Sequence, residues 1–352
     1  MFTMQLGDRL FLDGAFDSQT ALLLSQLGVD GVVVNIAGTL EGNLQGKPLI
    51  PQTLRDSLRS GQHWTASDLL AVKAVLADHG LKVAALAHTP VHRYADALLG
   101  RPGWRTEAAQ WCKSLEAMGE AGIDTLIYTW HSNVGARHMN WHTAVDVPIR
   151  GGARAEAFRA IDLPESARTA PIQAHEEDLW VALEQFLQAC LPAADANGVR
   201  MAMHPADPQV PMIAGMPRIM RSESAFDRLL GMYAGPGNAI TYCQGCFAQM
   251  LTPDGVYRTI EKYVGAGAVA LVHFRNVAAQ SRPDDFVESF WDHGKIDMVR
   301  AMSLYQDHGF TGYLVPDHHP HVEGDTRWGH RSRAFGLGFM RGLMQAAQKN
   351  SH

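Results

Sequence analysis

Eight short apolar runs, each followed by a stretch with helical spacing, set the strongest limit on the fold of this chain. They lie at about 3–8 (TMQLGD), 31–36 (GVVVNI), 82–88 (KVAALAH), 124–130 (DTLIYTW), 200–205 (RMAMHP), 239–243 (AITYC), 269–275 (VALVHFR) and 312–317 (GYLVPD). Turn residues bound each run, so they read as strands. Between them, TEAAQWCKSLEAMGEAG predicts a helix capped by Thr106 and stopped by Gly122, and HEEDLWVALEQFLQACLPAADANG predicts one closed by Gly198. Eight strands alternating with helices predict an α/β chain of one domain over residues 1–352, a parallel (β/α)8 TIM barrel. A doubly wound sheet would use fewer strands and want a glycine-rich phosphate turn after the first. GDRLFLDG is not such a turn, and GAGAVAL at 265–271 precedes a strand instead of following one. Residues 131–174, rich in His, Arg and Gly, form the main irregular stretch. They are expected to be an active-site loop insertion over the end of the fourth strand.

Composition narrows the partners. With 46% hydrophobic and 19% charged residues among 352, the chain has enough apolar material for a large buried core. Net charge is −6 and there is no long basic run, which argues against nucleic acid and anionic membranes. The opening MFTMQLGDRLFLDGAF lacks a basic segment followed by an apolar stretch, and no run reaches the ~18 apolar residues of a membrane span. A cytoplasmic location is the expectation. Of the four cysteines, Cys112 and Cys190 fall in helical patterns, where a thiol acts as a small hydrophobe. A disulfide framework is not expected.

Polar residues gather at the carboxyl ends of the last four predicted strands: His204, Cys243, His273, and Asp317 followed by His318. Successive gaps are each about one β/α unit, so the four side chains come from neighbouring strands at the mouth where barrel active sites lie. Taken singly, a strand-end His is usually a surface or hydrogen-bonded residue, and a strand Cys is usually core. Four such residues at equivalent positions predict one divalent-cation site of two imidazoles, a thiolate and a carboxylate. The Cys243-x-x-Cys246 spacing has other readings. A zinc ribbon needs a second pair, which the chain lacks, and a redox dithiol should open a helix beside a thioredoxin-like unit. Cys243 is therefore the ligand candidate and Cys246 a neighbouring loop thiol.

With these residues in view, the sequence resembles the mannonate dehydratase family, metal-dependent lyases within the xylose-isomerase-like barrel group. The resemblance runs through HTPVHRYADALLGRPGWRTEAAQWCKSLEAMGEAGI (88–123), MAMHPADPQVPMIAGMPRI (201–219), VHFRNV (272–277), ESFWDHGKIDMVRAM (288–302) and FTGYLVPDHHPHVEGD (310–325). It implies that His204, Cys243, His273 and Asp317 are metal ligands, usually for Mn2+. The mixed donor set also suits Fe2+, Co2+ or Zn2+. It further implies dehydration of an aldonate, D-mannonate or a relative, to a 2-keto-3-deoxy acid by C2 proton abstraction and loss of the C3 hydroxyl. His318 is then the first candidate for proton transfer, with orientation of Asp317 as its other reading. Arg275 suits either the substrate carboxylate or an internal ion pair. His88, His92, His131 and Asn133 are candidates for holding sugar hydroxyls. The chain departs from the family where a Gly-Tyr pair is usual: TRWGHRSRAFGLGFMRG sets Trp328 opposite the tyrosine, with His330 nearby. An indole cannot transfer a proton as a phenol can. Trp328 is read as a substrate contact and His330 as a catalytic candidate. The alternatives are a sugar isomerase or epimerase of the same barrel group, and a non-catalytic barrel with a structural four-ligand ion or a sugar-acid binding protein. The partners implied are a small-molecule sugar acid and, left open, further copies of the chain in a homo-oligomer.

Overall fold

In the computed structural model the chain closes into a barrel of eight parallel strands. The residues described are 4–11, 18–35, 53, 56–57, 60, 62–87, 89, 91–131, 141–326 and 328–350. The strands are β1 (Gln5–Phe11), β2 (Gly31–Asn35), β3 (Lys82–Ala87), β4 (Thr125–Tyr128), β5 (Arg200–Met203), β6 (Asn238–Cys243), β7 (Val269–His273) and β8 (Tyr313–Val315). Each pairs with the next in chain order, and β8 returns to β1. The (β/α)8 TIM barrel expected from the apolar runs is the fold found.

Alternation along the strands explains the two apolar layers. Ala85, Ala87, Ile127, Ala202, Ala239, Leu271 and Val315 face one another as an inner cluster, where converging strands leave room for small or branched side chains. Their neighbours Leu86, Leu126, Tyr128, Met201, Met203, Ile240, Tyr242, Val272 and Leu314 point outward and pack with the helices in the larger core. Full burial of each such side chain is worth about 1.5–3 kcal/mol. Ser222, Thr252 and Asp297 cap three of those helices by accepting from the backbone N–H groups of Ala225, Gly255 and Val299. The helix expected to begin at Thr106 instead starts at Trp104, whose N–H bonds the carbonyl of Arg101 in a turn that launches the helix earlier. Gly122 and Gly198, both at φ 63°, end the two helices named above in the left-handed conformation. No helix among the described residues is long and apolar enough to cross a membrane.

The described part of 131–174 is more ordered than its composition suggests. Ala144–Pro148 and Arg154–Arg159 form an antiparallel hairpin, and the second strand also pairs with Asp285–Val287 from the β7–β8 connection. Gly151 and Gly152 at φ 66° and 82° make the turn, a conformation that a side chain would strain. Phe158 stacks on Phe286 with centroids 5.9 Å apart, and Arg154 exchanges backbone hydrogen bonds of 2.9 and 2.7 Å with His321. This three-stranded sheet is thereby tied to the loop that follows β8.

Candidate active site

The strand ladder fixes the inner donors. Cys243 and His273 end adjacent strands as register partners, and the backbone N–H of His204 bonds Tyr128 at the end of β4. One donor atom from each of His204, Cys243 and His273 lies within 4.8 Å of the others, all three side chains being buried. His204 Nε2 is 3.1 Å from His273 Nδ1, which is 3.5 Å from Asp317 Oδ2; Cys243 Sγ is 3.8 Å from the same oxygen. His204 Nδ1 lies 2.7 Å from the Pro205 carbonyl. A carbonyl only accepts, so the proton sits on Nδ1 and the lone pair of Nε2 faces the cluster.

The two neighbouring thiols are electrostatically opposite. Burial works against a thiolate at Cys243, yet hydrogen bonds with Cys246, His204 and His273 hold its thiol well below the ordinary range. Burial and the adjacent Cys243 push Cys246 well above it. Cys243 therefore carries the charge, and Cys246 keeps its proton. Asp317 resists burial in the same way: His273, Arg9 and His318 hold its carboxyl well below the usual carboxylate range. Arg9, on β1, pairs with Asp317, and Asp8 beside it pairs with Arg333. All four cysteines are free thiols.

Arg275 is fully buried and its guanidinium is already engaged. Nη1 donates to Asp207 Oδ2 at 2.6 Å and Nε to Glu288 Oε2 at 2.9 Å, with Nη2 bonded to the other Glu288 oxygen. Of the two roles the sequence leaves open, the internal ion pair is the one the side chain occupies. A substrate carboxylate would have to displace one of these two buried anions, at a cost of several kcal/mol. Asp207 and Glu288 are absent from the expected site. For Asp207 the available signal was an acid three residues after His204.

His318 packs beside Asp317, with Nε2 3.7 Å from Asp317 Oδ2, and its Nδ1 donates to Glu156 Oε2 at 3.1 Å. Burial and Arg275 oppose a charge there, but Asp317, Glu288 and the Glu156 hydrogen bond outweigh them and push His318 up to about 9. Glu156 comes from the middle strand of the accessory sheet, and His142 Nε2, from the residues leading into the hairpin, is 3.4 Å from the same Glu156 oxygen. Neither residue was expected here. The RGG turn between AVDVP and RAEAFR marks a hairpin, but not where it docks.

The remaining expected residues divide. His131, three residues after β4, is buried, and burial with the nearby Arg218 and His204 holds its imidazole well below the ordinary value. His92 is exposed in the turn Val91–Arg93. His88 and Asn133 lie outside the described residues. Trp328 is buried beneath the guanidinium of Arg333, 4.5 Å from the ring centroid, and is thereby linked to Asp8 on β1. His330 packs 4.8 Å from Trp328 and pairs with Thr326. Both belong to the β8–β1 side of the mouth; neither is part of the donor cluster.

A family model described as D-mannonate dehydratase (UxuA) matches residues 168–352, which contain all four inner donors. Mannonate dehydratase 2 of Halalkalibacterium halodurans is 30% identical over 315 residues, spanning 81% of this chain and 88% of its own. The chain belongs to the mannonate dehydratase family. It is a lyase, a sugar-acid dehydratase. The mannonate dehydratase of Streptococcus equi subsp. zooepidemicus is 29% identical over the same length, with 81% and 84% covered. The crystal structure of mannonate dehydratase from Streptococcus suis serotype 2 superimposes with a TM-score of 0.82 at 27% identity, over 100% of this chain and 95% of that one. A xylose isomerase-like barrel protein from Mycobacterium smegmatis shares the fold, with a TM-score of 0.59 at 11% identity.

Proposed function

We propose that this dehydratase is metal-dependent, acts in the cytoplasm, and converts D-mannonate or a closely related aldonate to a 2-keto-3-deoxy acid. The observation that carries the reading is the convergence of His204, Cys243, His273 and Asp317 at four consecutive strand ends. The residues fit a divalent ion. Ligands at the metal bond lengths of imidazole, carboxylate and thiolate stand about 3.3–3.6 Å apart around a tetrahedral ion, and the neighbouring donors here are 3.1, 3.5 and 3.8 Å apart. When bound, a cation, Mn2+ in the first place, supplies positive charge beside the C1 carboxylate and C2 hydroxyl of the aldonate and so acidifies the C2–H bond.

The chain's own groups move the protons. His318 is held by Glu156 with its other ring nitrogen beside Asp317, so its orientation is set before substrate arrives. Its raised proton affinity favours the imidazolium, the form that delivers a proton to the departing C3 hydroxyl. In its neutral form the same imidazole would accept a proton. Arg275 is assigned to anchoring Asp207 and Glu288, which leaves the sugar acid's carboxylate to the cation. His131, buried beside His204, is the best supported of the candidate hydroxyl contacts. The insertion is proposed as the outer wall of the site, because Glu156 reaches His318 from it.

The test is a substrate panel. The Mn2+-reconstituted chain is incubated with C5 and C6 aldonates and uronates, and 2-keto-3-deoxy acids are assayed. Formation of such an acid from mannonate or one neighbour in the panel is expected. An epimer or an aldose–ketose pair, formed without loss of water, would overturn the dehydration reading in favour of an isomerase.

A further inference from the structure

A second group of metal-binding side chains stands at the rim of the mouth, apart from the four inner donors. His142, Glu156 and His318 each offer one donor atom, and all three atoms lie within 4.8 Å of one another. His142 Nε2 and Glu156 Oε2 are 3.4 Å apart, and His318 Nδ1 and the same oxygen are 3.1 Å apart. A tetrahedral zinc with bonds of about 2.0–2.1 Å sets its ligand atoms about 3.3–3.4 Å apart, so the His142–Glu156 edge already has the required length and the His318–Glu156 edge, now a hydrogen bond, has only to open slightly. The two imidazole rings meet edge to face with centroids 5.5 Å apart.

Three further observations bear on a ligand. His142 Nε2 is buried and has no hydrogen-bond partner among the described residues. The Glu156 side chain is 39% exposed, which gives an ion a path from solvent. Carboxylates crowd the spot: Glu288 Oε1 lies 3.5 Å from His318 Nδ1 and Asp317 Oδ2 lies 3.7 Å from His318 Nε2, while Arg275, engaged by Asp207 and Glu288, is the opposing cation. Two imidazoles and one carboxylate are a three-ligand zinc set that leaves a fourth position open.

We propose that His142, Glu156 and His318 form a second divalent-cation site, suited to Zn2+, and that a cation seated there blocks turnover by occupying His318. The site stands on its own geometry; its effect on turnover rests on the proton-transfer role proposed for His318. Imidazole ligands bind Zn2+ far more tightly than Mn2+. Mn2+ at activating concentrations therefore leaves the rim empty, and Zn2+ fills it. Binding replaces the proton shared between His318 and Glu156, which passes to solvent, and no redox step is involved.

The experiment counts ions on the full chain. Protein carrying one equivalent of Zn2+ is freed of excess and then titrated with Zn2+ by equilibrium dialysis with metal analysis. Wild type is expected to reach two per chain, while His142→Ala and Glu156→Gln stop at one. Cys243→Ser should also hold one, at the rim. Glu156→Gln keeps the side chain's size, so a loss of the second ion there does not depend on a damaged fold. In parallel, wild-type turnover should fall at least about tenfold as the second equivalent binds, and turnover of His142→Ala should not respond to the same Zn2+. Saturation of wild type at one ion overturns the site, as does retention of two by both rim variants, which would assign the ion to other surface imidazoles. Two ions, lost in both variants but without effect on wild-type turnover, would overturn the inhibition and leave the site standing. Because the count needs no substrate, it is independent of whether the chain dehydrates mannonate.

Discussion

Two clusters of similar chemistry, a few ångströms apart, are built in different ways. Each combines two imidazoles with an acidic donor, and in each the donor atoms lie within 4.8 Å of one another. The inner one is mounted on strand ends whose positions are fixed by the parallel ladder, and its side chains are buried. The outer one joins a loop residue, His318, to a hairpin that docks from elsewhere in the sequence, and its carboxylate is partly in water. Groups that must hold an ion with little tolerance stand on the most rigid part of the barrel. Groups that must meet an arriving substrate stand where loops and added strands can vary.

This contrast can be broken or sharpened by substitution. The largest effect is expected at the inner donors: His204→Ala, Cys243→Ala, His273→Ala or Asp317→Ala should remove both the bound ion and turnover, while Cys246→Ser retains the ion. Metal analysis of the purified variants decides it, and full metal content in two or more of the four would end the assignment. Next comes His318→Asn, expected to keep the ion and lower kcat by about two to four powers of ten. An unchanged kcat would move the proton transfers to His131, His88 or His92. Arg275→Met leaves Asp207 and Glu288 as uncompensated buried anions, and a loss of about 3–5 kcal/mol in urea unfolding is expected. A loss below about 1 kcal/mol would mean the pairs are replaceable by water.

A smaller effect concerns pH. His131 in the folded chain resists protonation because it is buried near Arg218 and His204, whereas in the unfolded chain it titrates near its usual value of about 6.5. The unfolded state therefore binds more protons as pH falls, and the stability that His131 contributes above that value is lost below it. His131→Gln should flatten the fall of the urea midpoint between about pH 6.5 and 5 relative to wild type; parallel curves would refute this. Smallest of all is Trp328→Tyr. The ring is covered by Arg333 and lies off the donor cluster, so a phenol there should lower the native activity modestly without raising turnover of mannonate. A large gain on mannonate would show instead that the position is a lost proton donor.

The barrel and the inner cluster were legible because both repeat. Strand, helix and strand-end residue recur once per unit, so position along the chain translates directly into position around the mouth. His204, Cys243, His273 and Asp317 could be picked out on that ground alone, before any neighbour was known. Glu156 and His142 carry no such signal. Their hairpin is short, its first strand is mostly exposed, and its pairing with Asp285–Val287 depends on docking across the mouth. Asp8 and Arg9 were hidden for a different reason. They sit inside an apolar strand, and their partners, Arg333 and Asp317, lie at the far end of the chain, brought near only when β8 closes on β1. Arg275 was visible as a residue, but its occupancy was not, since Glu288 reaches it from the same accessory sheet.

That sheet also has a bearing on the order of folding. Its middle strand, Arg154–Arg159, must wait for Asp285–Val287, which is synthesised only after β5, β6 and β7. Closing so long a loop is entropically expensive until the intervening units are in place. A nascent chain that has just completed β7 already carries His204, Cys243 and His273, but it lacks Asp317 and has no finished outer wall. Three of the four proposed ion ligands are therefore in place before the accessory sheet can close, and the strands that arrive last complete first the sheet and then the ligand set.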